Sequence, residues 1–519
     1  MTRVLLASPP IYGHVSSVHG VARGLVARGF TVDVLTGAKY RDAVASAGAR
    51  FLPLPAEVDF DDADLDAFLP GRDAYEGLAA MRQDMIGIFA KVIPGQAAAL
   101  AQAVDALRPD VVITEIGFGG AVPLALTRPR GERPPVLGLS SVPLTMASVD
   151  TAPFGLGLPP MPGALGRLRN RLLTALLTRV VLRDVEAALE EALRASGVDG
   201  AHPRFLDNAA ALDGVFQLST RSMEYPRREL GEKVEFVGPL PPAPRDDIAL
   251  PAWWSELGGA GPIVHVTQGT IDNHDLTRLV VPTIRALADL PVTVVASTGG
   301  KDVAEVHAAF PGGLPANARV GEFLPYDELL PRTAVVVTNG GFAGVQQALR
   351  HGVPLVVAGS TEDKPEVAAR VAWTGAGVNL RSGRPRDGRI RSAVLHVLES
   401  PALTARAQEI RDEIAAVGDP VDRIARASTS SWCAPARSSA RPASSGPDET
   451  TDAAGRAPAA SVVFAQENWF IVLFLPPALR AASPAKYSLW LSPMSLPAMF
   501  WCLTVAMPSR ISRRCTPRT

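Results

Sequence analysis

The chain has 519 residues, of which 47% are hydrophobic and 20% charged, and its 51 basic and 52 acidic side chains leave a formal net charge of −1. This profile is typical of a globular protein with two or three domains, and it excludes a disordered, fibrous or strongly basic chain. Because the main body holds no basic cluster, nucleic acid is not expected as a partner.

The three cysteines, Cys433, Cys502 and Cys515, all follow residue 432. No disulfide framework is therefore expected in the main body, which fits a reducing compartment. The first apolar run is too short for a signal peptide, and the main body lacks the run of about 18 apolar residues that would span a membrane. The sequence predicts a cytoplasmic protein with no membrane span in its main body, and it leaves the oligomeric state open.

The first half of the chain alternates between apolar, β-rich runs and segments of helical spacing. Strands are predicted at 3–8, 30–36, 50–55, 110–115, 136–141 and 215–220. Helices are predicted at 16–28, 118–127 and about 164–195, while 56–95 shows no clean period. Strand–helix–strand order is typical of a parallel sheet with crossover helices. His14 falls between the first strand and the first helix, after a loop that contains two prolines.

A proline-rich stretch at 236–254 interrupts this alternation. Proline is not accepted inside a helix or a central strand, so the stretch predicts an extended linker between domains. Beyond the linker, strands are predicted at 263–268, 291–298, 334–339 and 354–359. Helices are predicted near 275–288, 342–350, 363–373, 387–399 and 402–416.

The predicted fold class is α/β, with two doubly wound parallel sheets of the Rossmann type whose strand ends face one cleft. The predicted domains are 1–235 and 255–427, joined by the linker 236–254. Residues 428–519 form a tail that is rich in Ser, Ala and Pro and then apolar but broken by Pro, Lys and Arg. This composition predicts disorder, and no function is assigned to the tail.

The most specific motif is a strand that runs into Asn339, Gly340 and Gly341, with a helix starting within two or three residues. Glycines let a ligand approach the backbone, and the N–H groups at a helix start attract anions such as a pyrophosphate. A plain strand–helix turn that needs small residues would show the same pattern. The run GFGGAV at 117–122 lacks the third glycine of a dinucleotide fingerprint, so it is weak evidence for NAD.

The stretch 323–364 resembles the donor-binding signature of the inverting nucleotide-sugar glycosyltransferases of family 1, which use UDP- or dTDP-sugars and include plant secondary-metabolite and bacterial macrolide enzymes. The resemblance covers residues 1 to about 425. It implies the GT-B fold, with an acceptor-binding N-terminal domain and a donor-binding C-terminal domain. It also implies transfer of a hexose, with inversion and without a metal ion or a further cofactor, to a hydroxyl of a small apolar acceptor such as a polyketide, macrolide or flavonoid.

The resemblance assigns donor-binding residues by position. Phe323 stands where an aromatic ring stacks on the nucleobase, Asn339 where a His holds the diphosphate, and Gln347 where a Glu binds the ribose. An Asn side chain donates a hydrogen bond but carries no charge. The other matching positions are the diphosphate loop Gly269 and Thr270, Tyr326, the corner Gly340, Gly341, Phe342, Gly344 and Val345, and Asp363 with Lys364, where an acid–Gln pair reads sugar hydroxyls.

The resemblance also gives His14 a role, because in the family a His after the first strand is the general base that deprotonates the acceptor. Imidazole suits that role since it titrates near neutrality. A carboxylate must fix its tautomer and stabilise the imidazolium, and Glu115 ends a predicted strand where the family has an Asp. A surface-loop histidine is the alternative. His19 could form a metal pair with His14, but no third ligand is apparent.

Three other functions remain open at this point. A nucleotide-sugar 2-epimerase would need further acid–base carboxylates in the cleft. A catalytically weak nucleotide-sugar-binding protein is suggested by the departures at Glu115, Asn339 and Gln347. An NAD-dependent oxidoreductase is disfavoured by the missing glycine fingerprint. The segments 56–95 and 142–163 are expected to shape an acceptor pocket.

Overall fold

The computed structural model describes residues 1–242, 250–257 and 261–429. Residues 243–249 of the predicted linker and residues 430–519 of the predicted tail lie outside the described residues. The described residues form two parallel sheets, one before the linker and one after it.

The first sheet has seven strands, all paired in parallel, in the order β3-β2-β1-β4-β5-β6-β7. Its strands are β1 (Arg3–Ala7), β2 (Thr31–Thr36), β3 (Arg50–Pro53), β4 (Val111–Glu115), β5 (Val136–Ser140), β6 (Gly214–Gln217) and β7 (Val234–Phe236). Val4 of β1 pairs with Val32 of β2 on one side and with Val111 of β4 on the other. The winding reverses between β1 and β4, and such a reversal opens a crevice at the carboxyl ends of the strands, where ligands bind in this architecture.

The second sheet has six parallel strands in the order β10-β9-β8-β11-β12-β13. Its strands are β8 (Ile263–Thr267), β9 (Thr293–Ser297), β10 (Ala318–Gly321), β11 (Thr333–Thr338), β12 (Leu355–Val357) and β13 (Gly377–Asn379). Here the winding reverses between β8 and β11, which are adjacent and place Val336 beside His265. The second crevice therefore lies at the ends of β8 and β11.

Helices cover both faces of each sheet, as strands with apolar side chains on both faces require. They are α1 (Tyr12–Ala27), α2 (Arg41–Ser46), α3 (Leu65–Phe68), α4 (Gly77–Asp84), α5 (Ile93–Leu107), α6 (Ala121–Thr127), α7 (Gly163–Leu176), α8 (Arg183–Ala195), α9 (Val280–Ala286), α10 (Val303–Ala308), α11 (Tyr326–Leu329), α12 (Phe342–Arg350), α13 (Lys364–Thr374), α14 (Asp387–Leu398), α15 (Pro401–Val417) and α16 (Pro420–Thr429). Each sheet carries one buried aliphatic cluster on either face.

The predicted fold class is confirmed, since both halves are doubly wound parallel sheets. Three short strands, β7, β10 and β13, were not predicted, and β7 occupies the first residue of the predicted linker. They have three or four residues each, which is too few for a period of two to stand out. The predicted helix 164–195 is divided into α7 and α8 by a π-helical turn at Leu177–Val181.

The first helix begins earlier than predicted, at Tyr12, with Ile11 as its extended N-cap residue. His14 therefore lies in the first turn of α1 and not in the loop that precedes it. Apolar spacing did not indicate this turn, because Gly13 and His14 carry no apolar side chain and the buried positions of the helix start at Val15.

The last helices of the second half return to pack against the first half. The helix predicted at 402–416 is α15, whose Glu413 accepts from the N–H of Ser222 in the first half at 3.2 Å. The next helix, α16, also packs on the first half and includes the first two residues of the predicted tail. Arg28 at the end of α1 donates to Asp419 and Asp422, both at 2.6 Å. A Cβ on Gly24 would lie 2.8 Å from Val421, so glycine lets α16 pack closely against α1.

Within the part of the chain that the structure describes, one helical stretch, Gly77–Leu107, has the length and apolar composition of a membrane span, with a mean hydropathy of 1.2. About 44% of its most apolar window is buried. Core helices have the same properties, and α5, the second half of this stretch, packs Leu100 and Val104 into the core of the first sheet. The stretch is weak evidence for a membrane span.

Candidate active site

The centre of the candidate site is a bonded pair, His14 from the first turn of α1 and Glu115 from the end of β4. His14 Nδ1 lies 2.5 Å from Glu115 Oε2. The two residues are 101 positions apart in sequence and meet because β1 and β4 are neighbours in the sheet. Glu115 is fully buried, whereas the His14 side chain keeps 20% of its surface exposed. A buried carboxylate thus holds one nitrogen of a ring that still reaches the cleft.

Two further groups fix the carboxylate. Ser141 Oγ donates to Glu115 Oε1 at 2.9 Å, and the backbone N–H of Gly117 donates to Oε2 at 2.7 Å. With the His14 ring, the carboxylate accepts three hydrogen bonds, which satisfies a buried charge. Sequence reasoning missed Ser141, because a serine just after a strand carries no distinguishing pattern.

The two partners shift each other's pKa. Burial works to lower the pKa of His14, but the charge and hydrogen bond of Glu115, together with the charges of Asp363 and Glu362, outweigh it, and the pKa is raised above its usual value. Burial works to raise the pKa of Glu115, and His14 with the Gly117 and Ser141 hydrogen bonds holds that pKa below its usual value. Glu115 is therefore ionised at neutral pH, so that Nδ1 of His14 is the donor and Nε2 is left to accept a proton.

Gly117 occupies a position where a side chain would crowd the His14–Glu115 pair. A Cβ there would lie 3.0 Å from Glu115 Oε2 and 3.1 Å from Cε1 of His14. We expect Gly117→Ala to displace the ring and to lower the rate of the reaction at this site about tenfold or more, since a small misplacement at a reacting centre has large effects on rate. Steady-state kinetics measure the loss. Gly131→Ala is the control, because a Cβ on Gly131 meets nothing within 4 Å, and an equal loss in both variants would contradict the steric explanation.

The glycine corner after β11 is built as a tight turn that opens into α12. Gly340 has φ +90° and its N–H donates back to Thr338 Oγ1 at 3.2 Å. A Cβ on Gly340 would lie 2.7 Å from Val357, whereas Gly341 and Gly344 have open space around them. The N–H groups of the first turn of a helix have no partner within the helix, so the start of α12 presents donors beside an open surface.

Asn339 does not present its amide to the open side of this corner. Its Nδ2 donates to the carbonyl oxygen of Gln268 at 2.6 Å and also lies 3.3 Å from that of Asp272, and the residue is buried. The amide donors that were expected to serve a diphosphate thus join the loop after β11 to the loop after β8. The family that the sequence resembles has a His at this position, whose ring can carry a charge. Asn339 carries no charge and instead joins the two loops.

Three other predicted donor residues differ in their surroundings. Val345 is fully buried among the aliphatic side chains behind α12, so only its backbone could serve a ligand. Phe342 is also largely buried there, although its edge contributes to the wall of a crevice between α1 and α12, called here the inter-sheet crevice. Gln347 faces that crevice and donates from Nε2 to the carbonyl oxygen of Leu240 in the linker at 3.2 Å.

The loop after β8 and the start of α13 form the wall of the second half that faces His14. Gly269 takes φ +71° and Thr270 is exposed at the tip of the loop. Lys364 is buried, and its ammonium is paired with Glu362 and lies 3.3 Å from Asp272 Oδ2. Burial raises the pKa of the half-buried Asp363 to about 6, against the opposing charge of Lys364.

Phe323 and Tyr326 follow β10 and behave differently. The Phe323 ring is 37% exposed and lies over Gly300, where a Cβ would come 2.8 Å from Cζ of the ring. Tyr326 packs edge-on against His265 at 5.1 Å, and its hydroxyl is 3.0 Å from Ser297 Oγ. Phe323 therefore offers a flat exposed surface, whereas Tyr326 supports the second sheet from within.

The two groups of residues face each other across the cleft. A Cβ on Gly13 would lie 3.6 Å from Cδ1 of Ile271 in the β8 loop, which places the start of α1 against the second half. The charges of Asp363 and Glu362 are close enough to raise the pKa of His14. A crevice of about 330 Å³, including its open mouth, runs between α1 and α12 and is lined by Ser17, Ser141, Leu218, Pro239, Leu240, Phe342, Ala343, Gln346 and Gln347.

The alternative in which His19 forms a metal pair with His14 gains no third ligand among the described residues. Among residues 1–242, 250–257 and 261–429 there is no group of three or more His, Cys, Asp or Glu side chains that could hold a metal ion. Burial and the charge of Arg23 lower the pKa of His19. His19 is thus a half-buried helix residue one turn and a half beyond His14.

Comparison with known proteins gives these residues a family. Residues 282–428 match the family described as erythromycin biosynthesis protein CIII-like, C-terminal domain. The chain is 40% identical over 426 residues to 4'-demethylrebeccamycin synthase of Lentzea aerocolonigenes, covering 81% of this chain and 98% of that protein. It is 33% identical over 442 residues to UDP-glycosyltransferase 2 of Phaeomoniella chlamydospora, covering 82% and 96%.

Solved structures agree on the fold. The calicheamicin glycosyltransferase CalG4 matches with a TM-score of 0.61 at 20% identity, and the glycosyltransferase VinC in complex with dTDP with a TM-score of 0.55 at 21% identity; each covers 82% of this chain and 98% of the other. At that identity the likeness concerns the fold, which is GT-B, and the curated relatives supply the family. The chain belongs to the inverting nucleotide-sugar glycosyltransferases of family 1, among the enzymes of the bacterial macrolide and natural-product type.

Proposed function

We propose that this chain transfers a hexose from a UDP- or dTDP-sugar to a hydroxyl of a small apolar acceptor, with inversion at the anomeric carbon. The observation that carries the proposal is the His14–Glu115 pair, whose ring lies close enough to Asp363 and Glu362 of the second half for their charges to raise the pKa of His14. The names of the relatives point to UDP-sugars and to antibiotic acceptors, and VinC was solved with dTDP.

The mechanism follows from the two nitrogens of one ring. Glu115 accepts from Nδ1–H of His14, so the lone pair is on Nε2, on the far side of the ring from the carboxylate. Nε2 removes the proton of the acceptor hydroxyl as that oxygen attacks the anomeric carbon, and the ionised Glu115 stabilises the imidazolium that forms. The acceptor oxygen enters as the nucleotide diphosphate leaves from the opposite face, which inverts the centre.

The charge on the leaving diphosphate is met by backbone donors in this proposal. The first turn of α12 directs N–H groups toward the cleft at Gly341 and Gly344, where a close approach is unhindered. Thr270 stands at the facing loop. Because backbone donors can meet the charge that develops on the diphosphate, we propose that the reaction needs neither a metal nor a further cofactor.

The two halves take different substrates in this proposal. Residues 1–235 hold the acceptor and residues 255–427 hold the nucleotide sugar, with the linker 236–254 between them. The segments 56–95 and 142–163, which precede α5 and α7, shape the acceptor side. We also propose a cytoplasmic site of action, since the main body contains no cysteine.

The exposed ring of Phe323 is the proposed stacking surface for the nucleobase. Stacking of a base on an aromatic side chain contributes about 1–3 kcal/mol, so Phe323→Ala should weaken the affinity for UDP roughly 5- to 150-fold. Isothermal calorimetry with UDP measures the change. Tyr75→Ala removes an exposed aromatic side chain from the first half and serves as the control. Unchanged UDP affinity in Phe323→Ala would show that the base binds elsewhere.

The proposed function is tested with the purified full chain, a panel of UDP- and dTDP-sugars, and hydroxylated polyketide and flavonoid acceptors. Transfer adds the mass of one hexose to an acceptor and is read by mass spectrometry. Conversion of the donor without any acceptor would favour a 2-epimerase. Binding of nucleotide with neither transfer nor slow donor hydrolysis would favour a binding protein. Neither alternative is favoured by the relatives, which are named glycosyltransferases or synthases.

A further inference from the structure

A buried ionic cluster joins the two halves of the chain outside the catalytic pair. Arg370 of α13 is 1% exposed, and its guanidinium donates to Glu224 Oε1 from Nε at 2.9 Å and from Nη2 at 2.5 Å. Its Nη1 donates to Glu366 Oε2 at 2.6 Å. Glu224 belongs to the first half, whereas Arg370 and Glu366 belong to the second, so the ion pairs of the cluster connect the two halves.

The carboxylates of the cluster also hold one particular loop, 142–162, at two places. Glu366 Oε1 accepts from the N–H groups of Gly155 at 2.9 Å and Gly157 at 2.8 Å. Glu224 Oε2 accepts from the N–H of Leu144 at 2.8 Å. Gly157 has φ +59°, and a Cβ there would lie 2.8 Å from the carbonyl oxygen of Pro365, so the loop rests directly on the start of α13.

The same helix carries the donor-side residues of the candidate site. Asp363 and Lys364 stand at the N-terminal end of α13, less than two turns before Arg370, and Asp363 acts electrostatically on His14. A rigid helix therefore connects the loop, the interdomain cluster and the wall that faces the catalytic base. A shift of α13 along or across the cleft would move all three together.

Burying the charges of this cluster costs desolvation free energy, so a contribution to stability does not explain why the cluster is ionic. Buried ion pairs are often replaceable by apolar side chains without loss of stability, because desolvation offsets the attraction between the charges. What the charges supply here is direction, since each carboxylate oxygen accepts from a defined donor on the loop or on Arg370. A buried cation–π contact completes the arrangement, with the Arg370 guanidinium lying 4.2 Å from the centre of the Tyr225 ring.

We propose that Arg370 and Glu366 are positioning residues that couple the acceptor loop 142–162 to the nucleotide-sugar site through α13. The inference rests on the proposed function of the two halves. Nucleotide diphosphate bound at α12 and α13 then orders the loop, and by reciprocity a loop held in place binds nucleotide more tightly. The coupling would let the acceptor side assemble when the donor is in place.

Hydrogen exchange of the full chain, read by mass spectrometry over peptides from 142–162, tests the coupling with UDP and dTDP as probes. We expect bound UDP or dTDP to slow exchange in this loop about tenfold in the wild-type chain. Arg370→Lys should abolish the slowing and weaken nucleotide affinity about five- to tenfold, because an ammonium does not span both carboxylates. Glu366→Gln, which keeps the side-chain shape, repeats the test if Arg370→Lys does not fold.

The matched control is Arg133→Lys, which alters a buried pair inside the first half, with Arg133 Nη1 2.6 Å from Asp213 Oδ2. That variant should unfold at a lower temperature and keep the nucleotide-dependent slowing in full. The inference is overturned if nucleotide binds the wild-type chain without slowing loop exchange, or if Arg370→Lys and Glu366→Gln both keep the slowing. If neither UDP nor dTDP binds, the donor site itself is wrong and the inference falls with it.

Discussion

His14→Ala should lower the rate of sugar transfer by about 10²- to 10⁴-fold, the range that a general base contributes. The ring is the group at the cleft that combines a raised pKa with a carboxylate partner 2.5 Å away. The affinity for UDP should change little, because the nucleotide is proposed to bind on the opposite wall. Initial rates with saturating donor, together with calorimetric titration of UDP, measure both quantities.

His19→Ala is the matched control for this variant, since His19 lies on the same helix and burial lowers its pKa. Its activity should stay within a few-fold of the wild-type chain. Transfer that survives His14→Ala at a comparable rate would remove the base assignment. A loss of UDP affinity in parallel with the rate would instead place His14 in the donor site.

Glu115→Gln should lower the transfer rate on the order of 10³-fold and shift its pH dependence. The amide oxygen can still accept from Nδ1–H of His14 and from Gly117, while its NH₂ can donate to Ser141, so geometry is kept and charge is lost. The imidazolium formed during proton transfer then has no carboxylate beside it.

The sign of the pH shift follows from the pKa of His14. Glu115, together with the charges of Asp363 and Glu362, outweighs burial and raises that pKa above 6.5. A base works only when it is unprotonated, so wild-type kcat/KM should fall as the pH drops through a value above 6.5. Without the carboxylate, burial dominates and the acid limb of the profile should move to lower pH. A profile of kcat/KM against pH for both chains measures this shift. Ser141→Ala keeps the charge and should leave the limb near its wild-type position; an unshifted limb in Glu115→Gln would contradict the pairing.

The contact between His14 and Glu115 could be predicted because sheet topology places strand ends together. His14 follows one recognisable apolar strand and Glu115 ends another, and a reversal of winding brings the ends of β1 and β4 side by side. The helix start at Tyr12 and the contribution of Ser141 could not be predicted, because neither leaves a periodic pattern in the sequence. Both depend on which side chains meet once the sheet has formed.

On the donor side, the sequence predicted site residues whose side chains have other contacts in the structure. Matching positions to a family motif placed Asn339, Val345 and Lys364 in the site, yet their side chains bond to backbone, pack in the core or pair with acidic neighbours. The sequence predicted a helix near 363–373, and the structure pairs Arg370 of this helix with Glu224, a carboxylate 146 residues away. Sequence periodicity reports which face of a helix is apolar, and it carries no information about long-range partners of buried charges.

The central claim is that His14, held by Glu115, faces a sugar diphosphate bound at the start of α12 across the cleft. A crystal structure of the complex with UDP measures this arrangement directly. The claim predicts the β-phosphate on the backbone N–H groups at the start of α12, beside Gly341 and Gly344, with Nε2 of His14 directed at the space next to that phosphate and one sugar ring away. A diphosphate bound elsewhere, or a His14 ring turned away from it with Nδ1 no longer on Glu115, would contradict the account.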